Sequence, residues 1–328
     1  MDLLIIEPLE PEVMQWLQAR YSVSHSPELA RDPRAFRQAL YNVRAVVVPP
    51  TVTIDAQVLH YAPVLRAVGR VSAGAENIDL DACARARVEV VRGLTATAQA
   101  EAEFMIGALL SLLRRVPVVG SDGMLVGREL GAATVGLVGM APAARVMVQM
   151  LSGFGSKVVG YDPALHATDS VFKRWRVAPL GLRELLEQSD AVCVQLSYFS
   201  RYHGLLGERF LPFSKPNQVI VSIAHSGLFN EAALAEALTS GRVAAAWLDS
   251  LEPGALDQAR PLSGIENLQI TPRVASTTRE SRLRSAWAVV QRIAELLGPV
   301  TSPLPVPEVI MPAPSGEPTD LATEPLLP

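Results

Sequence analysis

The chain carries only two cysteines in 328 residues, Cys83 and Cys193, and both stand in apolar segments. Thiols so placed suit buried, reduced side chains; they make neither a disulfide framework nor a metal site. A basic surplus is also missing, since 29 Lys and Arg against 33 Asp and Glu leave a net charge of −4. That removes the electrostatic footprint of a nucleic-acid binder, and small molecules become the expected partners. No apolar run reaches membrane length: the longest, residues 104–113, is too short to cross a bilayer. The acidic start MDLLIIEPLEPE lacks the basic region of a secretory leader, so the expected compartment is the cytoplasm.

What is present is ample material for cores, with 49% apolar residues and a mean hydropathy of +0.24. The length suggests about two domains. Residues 3–7, 45–48, 65–70 and 88–91 read as short apolar strands, with helix-like stretches at 11–19, 54–61 and 80–85 between them. Such alternation predicts a parallel sheet covered by helices. A long helical pattern over 98–116 can cross to a second unit, where the rhythm restarts. There, strands are expected at 134–138, 157–161, 191–196, 218–223, 244–248 and 268–271, and helices at 182–187 and 231–240. A helix over 277–297 is long enough to return to the first unit. Residues 301–328 are rich in Pro and are expected to form a disordered tail.

The stretch TVGLVGMAPAARVMVQMLSGFGSKVVGYDP, residues 134–163, is one βαβ unit, and the turn after its first strand is where a dinucleotide would lie. Asp162, ending the second strand, is placed to accept the adenosine ribose hydroxyls. The glycine fingerprint is largely missing. A G-x-G-x-x-G frame from Gly139 reads Gly139, Met140, Ala141, Pro142, Ala143, Ala144, so only the first glycine survives. Ala141 sets a methyl where backbone should approach phosphate, and Pro142 removes one amide. The same residues also describe an ordinary βαβ unit closed by a solvated Asp-Pro turn.

Several segments together resemble the D-2-hydroxyacid dehydrogenase family: GRVSAGAENIDLDACARARVEVV, EAEFMIGALLSLLRRV, VGLVG with VVGYDP, and IAHSGLFNEAALAEALTSGRVAAAWLDSLEP with LQITPRVASTTRES. The resemblance covers nearly everything before the tail. It implies an α/β fold of two doubly wound domains, Rossmann- and flavodoxin-like, with a cleft between them. Residues 1–98 with 287–300 would form the substrate domain, and residues 99–286 the NAD-binding domain. NAD is the implied cofactor and a small 2-hydroxy acid the implied ligand. In most relatives the link after the long helix forms part of a dimer contact; here the link from Arg115 to Arg128 is shorter, which implies a homodimer with a shortened interface arm.

In that family an Arg binds the substrate carboxylate, a His moves the hydroxyl proton and a Glu holds the His in its working tautomer. Carried onto this sequence, the family's N-x-A-R-G segment reads Ser222, Ile223, Ala224, His225, Ser226, so His225 stands where the Arg is expected. The T-P-H segment reads Thr271, Pro272, Arg273, putting Arg at the His position. In D-V-x-E-x-E the second acid, the partner of the His, is replaced by Gly254, while Glu252 remains. By the same resemblance Asp249 would contact the nicotinamide amide, and Asp162, Gly139, Ala141, Pro142 and Ala143 would line the dinucleotide. Ser72, Ala73 and Gly74, in the loop 71–77, would receive the substrate carboxylate on backbone amides.

Three functions are compatible with these residues. One is an NAD-dependent dehydrogenase of altered mechanism, in which Arg273 grips the carboxylate and His225 transfers the proton. The second is an inactive relative that binds NAD(H) or a small acid as a sensor or partner protein, and the third is a scaffold that binds nothing. NADH affinity separates the third from the others, and turnover separates the first from the second.

Overall fold

The structure is a computed structural model, and it describes residues 1–298 apart from 73, 75, 76, 94, 116, 117, 120, 251–253 and 255. The tail expected beyond 300, together with Ala73 and Glu252, therefore lies outside the described residues. Two parallel sheets organise the rest. The first contains β1 (Leu3–Ile5), β2 (Val23–His25), β3 (Ala45–Val47), β4 (Ala67–Arg70) and β5 (Glu89–Arg92), in the order β2-β1-β3-β4-β5. Its inner strands, LLI and AVV, are buried on both faces, which is why they read as continuous apolar runs. Leu3, Ile5 and Val47 face one core cluster; Leu4, Val46 and Val68 face another. Helices α1 (Pro11–Gln18), α2 (Pro33–Ala39), α3 (Ala56–His60) and α4 (Leu80–Arg85) connect these strands.

Helix α5 (Ala98–Arg115) then runs to the second sheet, followed by the small antiparallel hairpin of β6 (Val118–Val119) and β7 (Leu125–Val126). The second sheet holds β8 (Thr134–Val138), β9 (Lys157–Tyr161), β10 (Ala178–Pro179), β11 (Ala191–Val194), β12 (Gln218–Ser222), β13 (Val243–Leu248) and β14 (Leu268–Ile270). Their order is β10-β9-β8-β11-β12-β13-β14, and every pairing is parallel. The order reverses between β8 and β11, and ligands of such sheets lie beyond the strands' carboxyl ends at that reversal. One face packs on α5 and α6 (Pro142–Phe154) through Met105, Leu109, Ala144, Met147 and Leu151. The other packs on α8 (Leu182–Gln188) and α9 (Glu231–Thr239) through Leu185, Leu186, Leu234 and Leu238. Helix α7 (Ser170–Trp175) lies between β9 and β10 in the chain.

Helix α10 (Arg279–Leu297), N-capped by the Thr278 side chain, returns to pack on β4, β5 and α1. Trp287 meets Trp16 edge to face with ring centroids 5.7 Å apart. Gly69 permits the close approach, because a Cβ there would stand 2.8 Å from Val289 Cγ1. The last carbonyl of α10, on Leu297, accepts from Arg44 Nη2 at 2.6 Å. Cys83 in α4 and Cys193 in β11 are both buried and free, and burial pushes the Cys193 thiol well above its ordinary range.

Candidate active site

The turn after β8 has a geometry that depends on its single glycine. Gly139 sits at φ +97, and a Cβ on it would meet the Leu196 nitrogen and Cα at 2.6 Å, so this turn lies directly against the segment following β11. Helix α6 starts at Pro142, after Ala141 in extended backbone (φ −70, ψ 169) that gives no side-chain cap. An uncapped N-terminus leaves first-turn amides to a ligand, and the helix dipole favours an anion there. Asp162 closes the turn from β9: its Oδ2 accepts the Met140 amide at 2.8 Å and its Oδ1 the Ala164 amide at 2.9 Å. Each oxygen retains acceptor capacity for a ribose hydroxyl. The backbone of this turn and the acceptor oxygens of Asp162 thus fit a dinucleotide.

A cavity of about 130 Å³ lies at the carboxyl ends of β12, β13 and β14, lined by Gly74, Glu101, His225, Asp249, Ser250 and Arg273 among others. This is the volume of roughly four liquid waters, room for the reacting end of a small ligand rather than a dinucleotide. Residues from 74 to 273 converge here, and His225 and Arg273 share it as the sequence pattern expected. Gly254 is not among the lining residues. It occupies φ +79, a left-handed turn that disfavours any residue with a side chain, the missing Glu included.

Each wall is held in a specific way. His225 begins the 3₁₀ turn Ser226–Leu228, and the Gly227 amide donates to its Nδ1 at 3.0 Å. Nδ1 therefore acts as an acceptor in this turn. Tyr198 stacks on the same imidazole with centroids 4.4 Å apart. Arg273 stands at φ +56, where a non-glycine residue is strained by about 1–2 kcal/mol. Asp249 stabilises that turn: its Oδ1 accepts from the Thr271 hydroxyl at 2.6 Å and the Val274 amide at 2.9 Å, and its Oδ2 from the Ala275 amide at 2.8 Å. Arg273 N–H also donates to the Asp249 carbonyl at 2.7 Å. Asp249 lines the cavity, yet most of its hydrogen bonding goes to presenting Arg273.

The loop after β4 differs from the expected carboxylate cradle. Buried Glu7 accepts the amides of Val71 and Ser72, both at 2.9 Å, and the Ser72 hydroxyl as well. Ser72 is thereby turned to a protein carboxylate, and of the two described cradle residues only Gly74, at φ +89, reaches the cavity.

Glu101 of α5 is a cavity residue that the motif reading passed over. Burial raises its carboxyl pKa and the charge of Asp249 adds to this, against a lowering hydrogen bond with the Thr97 side chain. The signal was in the helix period: Ala98, Met105 and Ala108, three before and four and seven after, are buried core positions. An acid on that stripe has to face either the core or a site.

Residues 112–275 match the family described as D-isomer specific 2-hydroxyacid dehydrogenase, NAD binding domain. An (S)-sulfolactate dehydrogenase of Chromohalobacter salexigens is 31% identical over 305 residues, covering 90% of this chain and 98% of that protein. A D-3-phosphoglycerate dehydrogenase of Mycobacterium tuberculosis is 31% identical over 257 residues, covering 76% of this chain, which spans about half (48%) of that longer relative. Among solved structures, D-lactate dehydrogenase from Aquifex aeolicus, complexed with NAD and lactic acid, superposes with a TM-score of 0.69 at 21% identity, covering 89% of this chain and 94% of that one. Two doubly wound sheets with a dinucleotide turn define an NAD-binding oxidoreductase fold. The chain belongs to the D-2-hydroxyacid dehydrogenase family, with NAD as its cofactor. Among the described residues no helix is long and apolar enough to cross a membrane, and no side-chain group could hold a metal.

Proposed function

We propose that the cavity at the ends of β12, β13 and β14 is the site of NAD-dependent interconversion of a small 2-hydroxy acid and its 2-oxo acid. The observation that carries this reading is the convergence of Gly74, His225, Asp249 and Arg273 around one small cavity. NAD(H), when bound, supplies or accepts the hydride. Arg273 grips the substrate carboxylate as a two-pronged donor, presented by the turn that Asp249 ties down. His225, whose Nδ1 accepts the Gly227 amide, offers Nε2 to the C2 oxygen. The first sheet with α10 would form the substrate domain, residues 1–98 and 287–300, and residues 99–286 the nucleotide domain; the packing of α10 on β4 and β5 supports that division. The hairpin β6–β7 exposes Val119 (70%) and Leu125 (68%), which supports a homodimer contact through a short arm. The buried free thiols suit a reducing compartment, the cytoplasm.

A second reading keeps the binding and drops the chemistry: Gly254 stands where the family has the acid that partners the catalytic His, which favours a sensor or partner protein that holds NAD(H) or a small acid. Calorimetric titration with NADH, followed by NADH oxidation against pyruvate, glyoxylate and hydroxypyruvate, separates the two. Turnover supports the enzyme; NADH affinity with no turnover on any small 2-oxo acid supports the binder; absence of NADH affinity overturns both.

A further inference from the structure

The proposed reaction needs a group that exchanges a proton with the C2 oxygen, and several described walls of the cavity already hold hydrogen bonds. His225 holds its Nδ1 against the Gly227 amide. Asp249 already receives Thr271, Val274 and Ala275. Arg273 stays protonated at any working pH, and the Ser250 hydroxyl, directed to the Ala224 carbonyl at 3.5 Å, is far too weak an acid. Glu101 remains. It projects from the first turn of α5 to line the same cavity as His225 and Arg273.

Resting on the reading above, we propose that Glu101 is the proton-exchanging group of this site, passing its carboxyl proton to the C2 oxygen of a 2-oxo acid held by Arg273. In the reductive direction the carbonyl π bond breaks. Its oxygen takes the Glu101 proton and its carbon gains the hydride that NADH supplies. The products are the 2-hydroxy acid, NAD⁺ and the Glu101 carboxylate, which recovers a proton from water. The oxidative direction reverses each transfer.

The surroundings of Glu101 suit this task. Burial is the largest influence on its carboxyl and raises its pKa; Asp249 adds to the rise, and the Thr97 hydrogen bond opposes it. The positive end of α5 also favours the carboxylate. From the facing elements come His225 after β12, Asp249 after β13 and Arg273 after β14. Arg284 of α10 reaches the turn before α5, donating to the Ala96 carbonyl at 3.1 Å. Ionised Glu101 adds a negative charge beside Asp249, which opposes an anionic substrate, and protonation removes that charge. Anion binding and protonation of Glu101 are therefore linked, and the acid arrives with the proton it will consume.

Oxamate, a 2-oxo acid analogue that takes no hydride, tests this without turnover. Titration calorimetry of the full chain with oxamate and NADH, in buffers of different ionisation enthalpy, should show proton uptake on binding above the ordinary glutamate range. Affinity should fall as pH rises through the carboxyl pKa of the free protein. Glu101→Gln should abolish both the uptake and that pH dependence while keeping oxamate affinity at high pH. It should also lower turnover of a 2-oxo acid by about 10²–10⁴-fold, the usual contribution of a positioned acid. Glu101→Asp should keep the uptake and part of the rate, and it carries the test should the Gln variant not fold. Wild-type rate and unchanged uptake in Glu101→Gln would overturn the proposal while leaving the site reading intact. Failure of the wild type to bind oxamate with NADH would overturn the site reading and this proposal together.

Discussion

Replacing Gly139 by alanine should damage stability and cofactor binding together, because one backbone position serves both. At φ +97 an L side chain is strained by roughly 1–2 kcal/mol. The added Cβ would stand 2.6 Å from the Leu196 nitrogen and Cα and 2.9 Å from the Gln195 carbonyl carbon. Those are backbone atoms of the segment leaving β11, whose Gln195 amide already donates to the Val138 carbonyl at 2.9 Å. They cannot swing aside as a side-chain end could, so an overpacking cost of about 1–3 kcal/mol adds to the strain. The sum is about 2–5 kcal/mol, or a melting midpoint lower by roughly 5–15 °C for a unit of this size. Thermal unfolding followed by circular dichroism measures it, and calorimetry on the folded variant at low temperature should show weakened NADH binding. Ala141→Gly is the control, since Ala141 has φ −70 and its methyl occupies the place expected for phosphate approach. It should cost at most about 1 kcal/mol and should not weaken NADH. A Gly139→Ala variant that melts within a degree of wild type and binds NADH equally would refute the close contact on which this reasoning rests.

Further outcomes follow from the same geometry. NADH should bind more tightly than NADPH, because Asp162 would repel a 2′-phosphate; competitive titration checks this, and tighter NADPH binding would contradict the assigned role. In steady-state kinetics His225→Ala should mainly lower kcat, and Arg273→Ala should mainly raise KM; unchanged kinetics in both would make them bystanders. Asp249→Ala removes the acceptor for Thr271, Val274 and Ala275, and urea unfolding should register a loss of about 2–4 kcal/mol. Leu125→Asp on the exposed hairpin should turn a dimer into a monomer in sedimentation velocity, with little change in melting temperature.

Legibility in the sequence followed burial. The strands LLI, AVV, TVGLV and AVCV are closed on both faces by helices, so their apolar runs stand out, and the two long helices display a clear 3.6-residue period. Strand β2, with sequence VSH, is only half-buried at the sheet edge, and the two-residue β10 is also an edge strand. Neither has a pattern long enough to register. Helix α2 was missed although Asp32 caps it through the Arg34 and Ala35 amides and Pro33 opens it; the cap signature was present, but the apolar face is little more than Phe36. At the site, His225, Arg273, Asp162 and Gly139 could be singled out from the motifs, and His225 and Arg273 line one cavity. Glu101 lay in a helix read for its role as a connector, where an acid among alanines resembles a solvated position.

Asp249 shows why residue types alone could not fix the roles. The family resemblance implies that it meets the nicotinamide, and three-dimensional pairing shows where its electron pairs go: two donors on Oδ1 and one on Oδ2, all from the turn bearing Arg273. A left-handed arginine is rarely kept without something that holds it, and strain of this kind concentrates at functional positions. The structure concentrates hydrogen bonds on that one residue while leaving the imidazole of His225 with a backbone donor on Nδ1. Carboxylate grip is therefore the best-supported part of the exchanged arrangement. For the proton, the acid on α5 lines the same cavity, and burial raises its carboxyl pKa.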